Sequence, residues 1–267
     1  MKVVNIKKTT TILIIFHIEL GRFNSGICIF FSGRHVLLRT ILYFVQKVTF
    51  HFVNERIDAM NNEWEKDREA LSTIKVFSNP NNMPVTISGD VTNLKCIGVG
   101  TDAAVFQSLS SPTYAFKIYA QDKLDKVKIE ASIYERLGDS PYFPTCFASY
   151  DEYLVLSYEE GKTLYDCVLQ GIHIPLQVVN EVEEARAYIR SKGLNPRDIH
   201  LKNIILQNGK AKIIDVSEYT VPGNDFRWEH LKRGYEQYYH LIDGNSVPFW
   251  IMVTIQKWYN QRKGNSF

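Results

Sequence analysis

The sequence has few cysteines, no long apolar run and almost no net charge. Its four cysteines, Cys28, Cys96, Cys146 and Cys167, stand far apart. No two share C-x-x-C spacing, which argues against a structural zinc site. Scattered thiols in a chain of this size read as small buried hydrophobes in a reducing cytoplasm, not as a disulfide framework. No stretch reaches the roughly 18 uninterrupted apolar residues of a spanning helix. His17, Glu19, Arg22, Arg34, His35, Arg39 and Lys47 interrupt the most apolar region. A net charge of +2 provides no global attraction to nucleic acid or to an anionic membrane. Internal repeats and low-complexity tracts are also missing, which excludes a repeat array.

What is present is a 267-residue chain, enough for one large domain or two small lobes with a real core. Its charge is uneven. Residues 1–59 hold eight Lys or Arg against three acids, a net of +5, and the remainder carries −3. This first stretch has three readings. "MKVVNIKKTTTILIIF" supplies the start of a signal peptide, but "HIELGRFN" is a poor cleavage site. A membrane-associated hairpin with basic flanks is the second. The third, preferred, is an atypical basic and apolar segment outside the functional domain, whose translation in the native protein the sequence leaves open. Met60 then opens "MNNEWEKDREAL", an ordinary polar start, and the domain is expected over 60–267.

From Met60 the pattern predicts a short amphipathic helix over 62–73 and a turn at "NPNNMP". An antiparallel meander of "VTISG", "LKCIGVG", "AAVFQSL" and "YAFKIYA" follows. The period then changes. Leu124, Val127, Ala131, Tyr134 and Leu137 fall at helical steps, with Gly138 as the stop. "YFPTCFASY" and "EYLVLSYEE" read as strands, and "GKTLYDCVLQG" as a short helix. A long helix starts near Pro175, with Val178, Val179, Val182, Ala185 and Ile189 on one face and Gly193 as its stop. "NIILQ" and "AKIID" bracket the turn "NGK", and two helical segments close the chain, about 227–241 and 247–262. The order predicts an α+β fold with two lobes.

Several side chains carry chemistry. Gly98 and Gly100 stand in a strand–turn–strand, "CIGVGTDAAVF". Glycine lets backbone approach a phosphate, but alone these read as hairpin glycines. Lys117 alternates with Phe116 and Ile118 in "YAFKIYA". Alone it reads as a lysine pointing to water; its other reading points inward and needs an acid to hold it. Glu130 in the next helix is that acid, or else part of a solvated face beside Lys126 and Lys128. Asp198 and Asn203 are five apart in "RDIHLKNIIL", and Asp215 ends "AKIID" twelve residues beyond Asn203. Asp and Asn also bend loops, yet their oxygens suit a hard cation. Together these are the parts of phosphoryl transfer: a backbone cradle, a cation, metal acceptors and an orienting acid.

In order and approximate spacing, "IGVGTDAAVF", "FKIY", the Glu130 helix, "YLVLSYEEGKTLYD", "RDIHLKNIIL" and "AKIID" resemble the protein-kinase-like family over residues 90–220. The match resembles the small bacterial Ser/Thr-kinase-like proteins, with features of the RIO and aminoglycoside-phosphotransferase branches, and "DIHLKN" is similar to the D-x-H-x-x-N loop of the latter. The resemblance implies a small antiparallel-sheet N-lobe, about 75–158, and a reduced, mostly helical C-lobe, about 159–267. It implies ATP and Mg2+ as cofactors. Gly98 and Gly100 then cover the phosphates. Lys117 contacts the α- and β-phosphates, oriented by Glu130. Leu156 backs the adenine pocket, and Tyr158 and Glu159 form the hinge. Asp198 orients the acceptor hydroxyl or takes its proton, and Asn203 and Asp215 hold Mg2+. Lys202 is a weaker candidate for the γ-phosphate, and His200 for a brace of the loop.

The pattern also departs from the family. Pro196 stands where a His normally precedes Arg-Asp. "DVS" at 215–217 replaces Asp-Phe-Gly, and no Ala-Pro-Glu follows. Regulation and substrate docking are put in doubt more than nucleotide chemistry. Ser217, Tyr219 and Thr220 are ordinary loop hydroxyls before they are phosphorylation sites. The preferred function is a cytoplasmic serine/threonine protein kinase acting on a protein hydroxyl, itself included, with no nucleic-acid partner and no membrane partner unless residues 1–59 are expressed. The alternatives are a sugar- or aminoglycoside-type small-molecule kinase and an ATP-binding pseudokinase scaffold.

Overall fold

The computed structural model describes the backbone of residues 2–4, 11–16, 27–32 and 63–264, and the side chains of 63–257. The chain divides into two compact units, Met1–Glu63 and Trp64–Phe267. In the first, strands β1 (Lys2–Val4), β2 (Thr11–Phe16) and β3 (Ile27–Ser32) form an antiparallel sheet in that order. "HIELGRFN", on which the leader reading turns, and Arg34, Arg39 and Lys47, which interrupt the apolar region, lie outside the described residues. No helix among the described residues is long and apolar enough to cross a membrane.

The second unit is α+β. The expected first helix splits into a 3-10 turn (Glu63–Asp67) and α1 (Arg68–Thr73). "VTISG" does not join the meander. Its core, β5 (Thr86–Ser88), pairs with β4 (Lys75–Phe77), a short strand the sequence pattern did not reveal, in a separate two-stranded sheet. The cause is local. Gly89, at φ 116°, brings the chain against the end of α1 so closely that a Cβ there would stand 2.1 Å from the Thr73 carbonyl oxygen. Only glycine permits both the dihedral and the approach.

Strands β6 (Leu94–Val99), β7 (Ala103–Ser108), β8 (Tyr114–Tyr119), β9 (Cys146–Ser149) and β10 (Tyr153–Ser157) build an antiparallel sheet in the order β6-β7-β8-β10-β9. All six residues of β8 are buried, because the strand separates two hydrophobic clusters. Its even positions Tyr114, Phe116 and Ile118 join one with Trp64, Phe106 and Val155. Tyr119, an odd position, joins the other, which also takes Leu154 and Leu156 from β10. This is the two-residue period of a strand covered on both faces. Each large apolar side chain so buried contributes about 1.5–3 kcal/mol.

The second cluster is completed by helices. α2 (Leu124–Leu137) buries Val127, Glu130, Tyr134 and Leu137 along one stripe. α3 (Leu164–Gln170) is capped by Thr163, whose hydroxyl accepts the Asp166 N–H at 3.1 Å. α4 (Leu176–Ser191) begins after Pro175 and buries Val178, Val179, Val182, Ala185 and Ile189, the face its spacing predicts. Strands β11 (Lys162–Thr163), β12 (Ile204–Gln207) and β13 (Lys210–Ile213) form a third antiparallel sheet. Asn208 and Gly209, at φ 51° and 78°, close the β12–β13 turn, as a two-residue hairpin with both central residues at positive φ requires. α5 (Arg227–Tyr238) and α6 (Phe249–Gly264) follow. Among the thiols, Cys167 is buried and Cys146 half-buried. Cys96 is exposed, because it sits on edge strand β6, so the expectation of buried cysteines fails there.

Candidate active site

Lys117 is buried, 8% exposed, on the face of β8 opposite Phe116. The outward reading of this lysine therefore ends. Its Nζ lies 2.8 and 2.7 Å from the two carboxylate oxygens of Glu130 and 3.2 Å from Asp215 Oδ1. Glu130 is fully buried, and its Oε2 also accepts the Tyr119 hydroxyl. Burial alone would lower the Lys117 ammonium, but the carboxylates of Asp215 and Glu130 more than offset it and hold the group above the ordinary lysine value. Lys117 is thus a fixed cation, as its partners demand.

The sheet register extends from this lysine. A single rung runs Gly98–Val105–Lys117–Leu154 across four strands. Gly98 therefore shares the Lys117 face without presenting a side chain to it. It lies at a register shift in β6, and a Cβ there would meet only Val105, at 3.8 Å. Gly100 donates its N–H to the Ala103 carbonyl at 2.8 Å and closes the tight β6–β7 turn. That turn is tied to α2 by Asp102 and Lys126, 2.7 Å apart. Lys126 is therefore engaged and not simply solvated.

Asn203 and Asp215 are brought together by the hairpin. Ile204 pairs with Ile213 at its base. One step beyond, the Ile214 N–H donates to the Asn203 carbonyl at 2.9 Å, so Asp215 follows directly across from the loop. Buried Ile199 and Val216 anchor the chain just after Asp198 and Asp215. The Asp215 side chain remains 34% exposed. Burial pushes its carboxyl up, but Lys117 and the Ser217 N–H, which donates to Oδ1 at 3.1 Å, outweigh that and hold it below the usual range.

Asp198 adopts φ 54°, the left-handed region that aspartate tolerates better than most residues and that recurs at functional sites. Asn203 Nδ2 donates to its carbonyl at 3.0 Å. Its Oδ1 accepts from Arg227, and His200 Nε2 lies 3.7 Å from the same oxygen. Burial raises the Asp198 carboxyl to about 6, with Arg227 opposing and Asp215, Asp225 and Glu218 adding to the rise. Burial, with Arg227 beside it, lowers His200 to about 4. A neutral imidazole whose Nδ1 accepts the Lys202 N–H at 3.2 Å carries its proton on Nε2, toward Asp198. The one hydrogen bond of the His200 imidazole among the described residues is thus this local contact, and its distance to Asp198 is longer than a hydrogen bond. Lys202 Nζ lies over the Tyr165 ring, 4.8 Å from its centroid.

The remaining predicted residues, Leu156, Tyr158 and Glu159, make no side-chain hydrogen bond or ion pair to Lys117, Asp198, Asn203 or Asp215 among the described residues. Leu156 is buried on β10, opposite Ala115. Tyr158 donates its N–H to the Thr113 carbonyl at 2.7 Å. The Glu159 carboxylate accepts from Ser157 at 2.6 Å and from Gln207 at 3.2 Å, tying this crossing segment to β12. A cavity of about 320 Å³ bordered by Gly161, Lys162, Cys167 and Leu206 shares no residue with the charged cluster. Tyr219 is 1% exposed, so its hydroxyl is closed to modification in this fold.

The donor set consists of oxygens. Among the described residues no three His, Cys, Asp or Glu side chains converge as a metal cage. One carboxylate and one amide oxygen, Asp215 and Asn203, fit a hard dication such as Mg2+ that keeps waters and phosphate oxygens in its other positions.

Some participants carried no signal in the local pattern. Asp225 Oδ2 accepts the Asp198 N–H at 3.0 Å, and Arg227 reaches the Asp198 carboxylate from the start of α5. Asn195 and Arg197 donate to the carbonyls of Val221, Pro222 and Gly223 at 2.6–3.0 Å and fold the chain after Asp215 back onto the loop. These pairs are more than 24 residues apart. For Glu130 a signal did exist: Val127, Glu130, Tyr134 and Leu137 follow 3-4-3 steps, which puts the acid on the apolar stripe.

No family model matches the chain. A curated protein of Bacillus subtilis (strain 168), "Putative serine/threonine-protein kinase YrzF", is 33% identical over 182 residues, covering 64% of this chain and 85% of that protein.

Proposed function

The chain belongs to the serine/threonine-kinase-like family, and from that premise we propose that it is an ATP- and Mg2+-dependent phosphotransferase acting on a serine or threonine hydroxyl of a protein. The observation that carries this reading is the convergence of Lys117, Glu130 and Asp215 from β8, α2 and the end of the β12–β13 hairpin. Phosphoryl transfer needs little covalent chemistry from the protein and much fixed charge. In this reading Lys117, oriented by Glu130, binds the α- and β-phosphates. Gly98 and Gly100 let backbone close over them, and Leu156, Tyr158 and Glu159 border the adenine. Asn203 and Asp215 hold Mg2+, which when bound offsets the charge of the phosphate oxygens. Asp198 orients the acceptor hydroxyl and takes its proton. The same reading takes lobes of 75–158 and 159–267 within a domain of 60–267; one hydrophobic cluster draws only on residues before 158, and the other joins residues from both sides of that boundary. A cytoplasmic setting is part of the same reading.

The test uses the full chain, labelled ATP and Mg2+, with and without a generic protein acceptor. Transfer to protein is expected. It should fall on the order of 10²-fold or more in Asp198→Asn and Lys117→Met. A small-molecule hydroxyl is the second reading, favoured by the imidazole of His200 beside Asp198. Transfer to a sugar or aminoglycoside but not to protein would select it. Absence of Mg-nucleotide binding would sink both readings.

A further inference from the structure

The helix start at 225–228 grips the catalytic-loop candidate at two points. Asp225 Oδ2 accepts the Asp198 backbone N–H at 3.0 Å. Arg227 NH1 donates to the Asp198 carboxylate at Oδ1. The two grips are themselves coupled, since Arg227 Nε lies 3.4 Å from Asp225 Oδ2 and the Arg227 N–H donates to Asp225 Oδ1 at 3.2 Å. Behind them α5 is clamped to α4. Buried Arg186 donates to Glu229 and, at 2.9 Å, to Glu183, and the Trp228 indole N–H also donates to Glu183.

Asp198 needs such a hold. Its backbone is in a costly region at φ 54°. The grip is also one-sided. Arg227 and His200 both address Oδ1, while Oδ2 has no hydrogen-bond partner among the described residues. The side chains of Arg227 and Asp198 are 39% and 29% exposed, so the pair is not sealed inside the fold.

Resting on the phosphotransferase reading above, we propose that Arg227 is a positioning residue of the transfer step: it holds Asp198 by Oδ1 and so presents Oδ2 to the acceptor hydroxyl. In that step the acceptor O–H bond breaks and its proton passes to Oδ2. The acceptor oxygen bonds to the terminal phosphorus of the nucleoside triphosphate. The bond from that phosphorus to the bridging oxygen breaks, and its electron pair leaves with the nucleoside diphosphate. A lysine at 227 would keep the charge but lose the fork that spans Asp198 and Asp225.

The test compares the full-length wild type with Arg227→Gln and Arg227→Lys by steady-state kinetics, calorimetric Mg-nucleotide binding and thermal melting. For Arg227→Gln, kcat should fall about tenfold to a hundredfold. Its nucleotide KM and Kd should stay within about twofold and its melting point should not move. Arg227→Lys should lie between it and the wild type. An Arg227→Gln variant with wild-type kcat overturns the proposal. So does one that loses nucleotide binding or melts early, since the arginine would then be structural. A wild type that binds nucleotide yet transfers phosphate to no acceptor overturns the phosphotransferase reading and the proposal with it.

Discussion

Lys117 is the residue about which the site is arranged. Two carboxylates meet one buried ammonium, and removing a partner from such a group leaves charge uncompensated in a dry environment. Glu130→Ala is therefore expected to lower stability by about 3 kcal/mol in urea denaturation, because Asp215 is then the sole remaining carboxylate and the Tyr119 hydroxyl loses its acceptor. A change below about 0.5 kcal/mol, typical of a surface pair, would show that the pair contributes nothing to the fold. The residues at 117, 130, 198, 203 and 215 stood out from the chain only as a set, in the order and spacing of the kinase-like family, since each alone reads as an ordinary strand, helix or loop residue. Arg227 did not, because a helix-start arginine has no local feature that separates it from a solvated one.

At the scale of the element, the β12–β13 hairpin measures the distance between Asn203 and Asp215. Its turn depends on Gly209 at φ 78°, where a Cβ would meet nothing within 4 Å. The cost of Gly209→Val is therefore conformational, about 1–2 kcal/mol for a β-branched residue in the left-handed region. Equilibrium unfolding should read that loss; an unchanged midpoint would mean the turn has another accessible geometry. The "NGK" turn and both strands were legible because turn chemistry is local. The placing of β5 with β4 was not, because strand pairing is decided by which backbone edge the chain can reach, and Gly89 set that.

At the scale of the whole molecule, a ligand that binds only the folded state raises its stability by mass action. Mg-ATP at 100 times its Kd should add about 2.7 kcal/mol. Chelating the metal should remove most of that gain, and Asp215→Asn should remove the metal-dependent part while nucleotide alone still binds. A melt indifferent to Mg2+ in the wild type would refute the assignment of Asn203 and Asp215. The sequence by itself determined most of the succession of strands, helices and hairpin in the second unit, the short strands β4 and β11 apart, because hydrophobic period, caps and turn residues act within a few positions. It also determined which side chains could carry charge chemistry. Only the tertiary structure decided that Lys117 faces inward, that Glu130 and Asp215 both meet it, and that Asp225 and Arg227 hold Asp198. Those contacts join residues 13 to 98 positions apart. Those of Lys117 form because packing on both faces of β8 leaves a buried cation no water to turn to, so its partners must come from wherever the fold brings carboxylates.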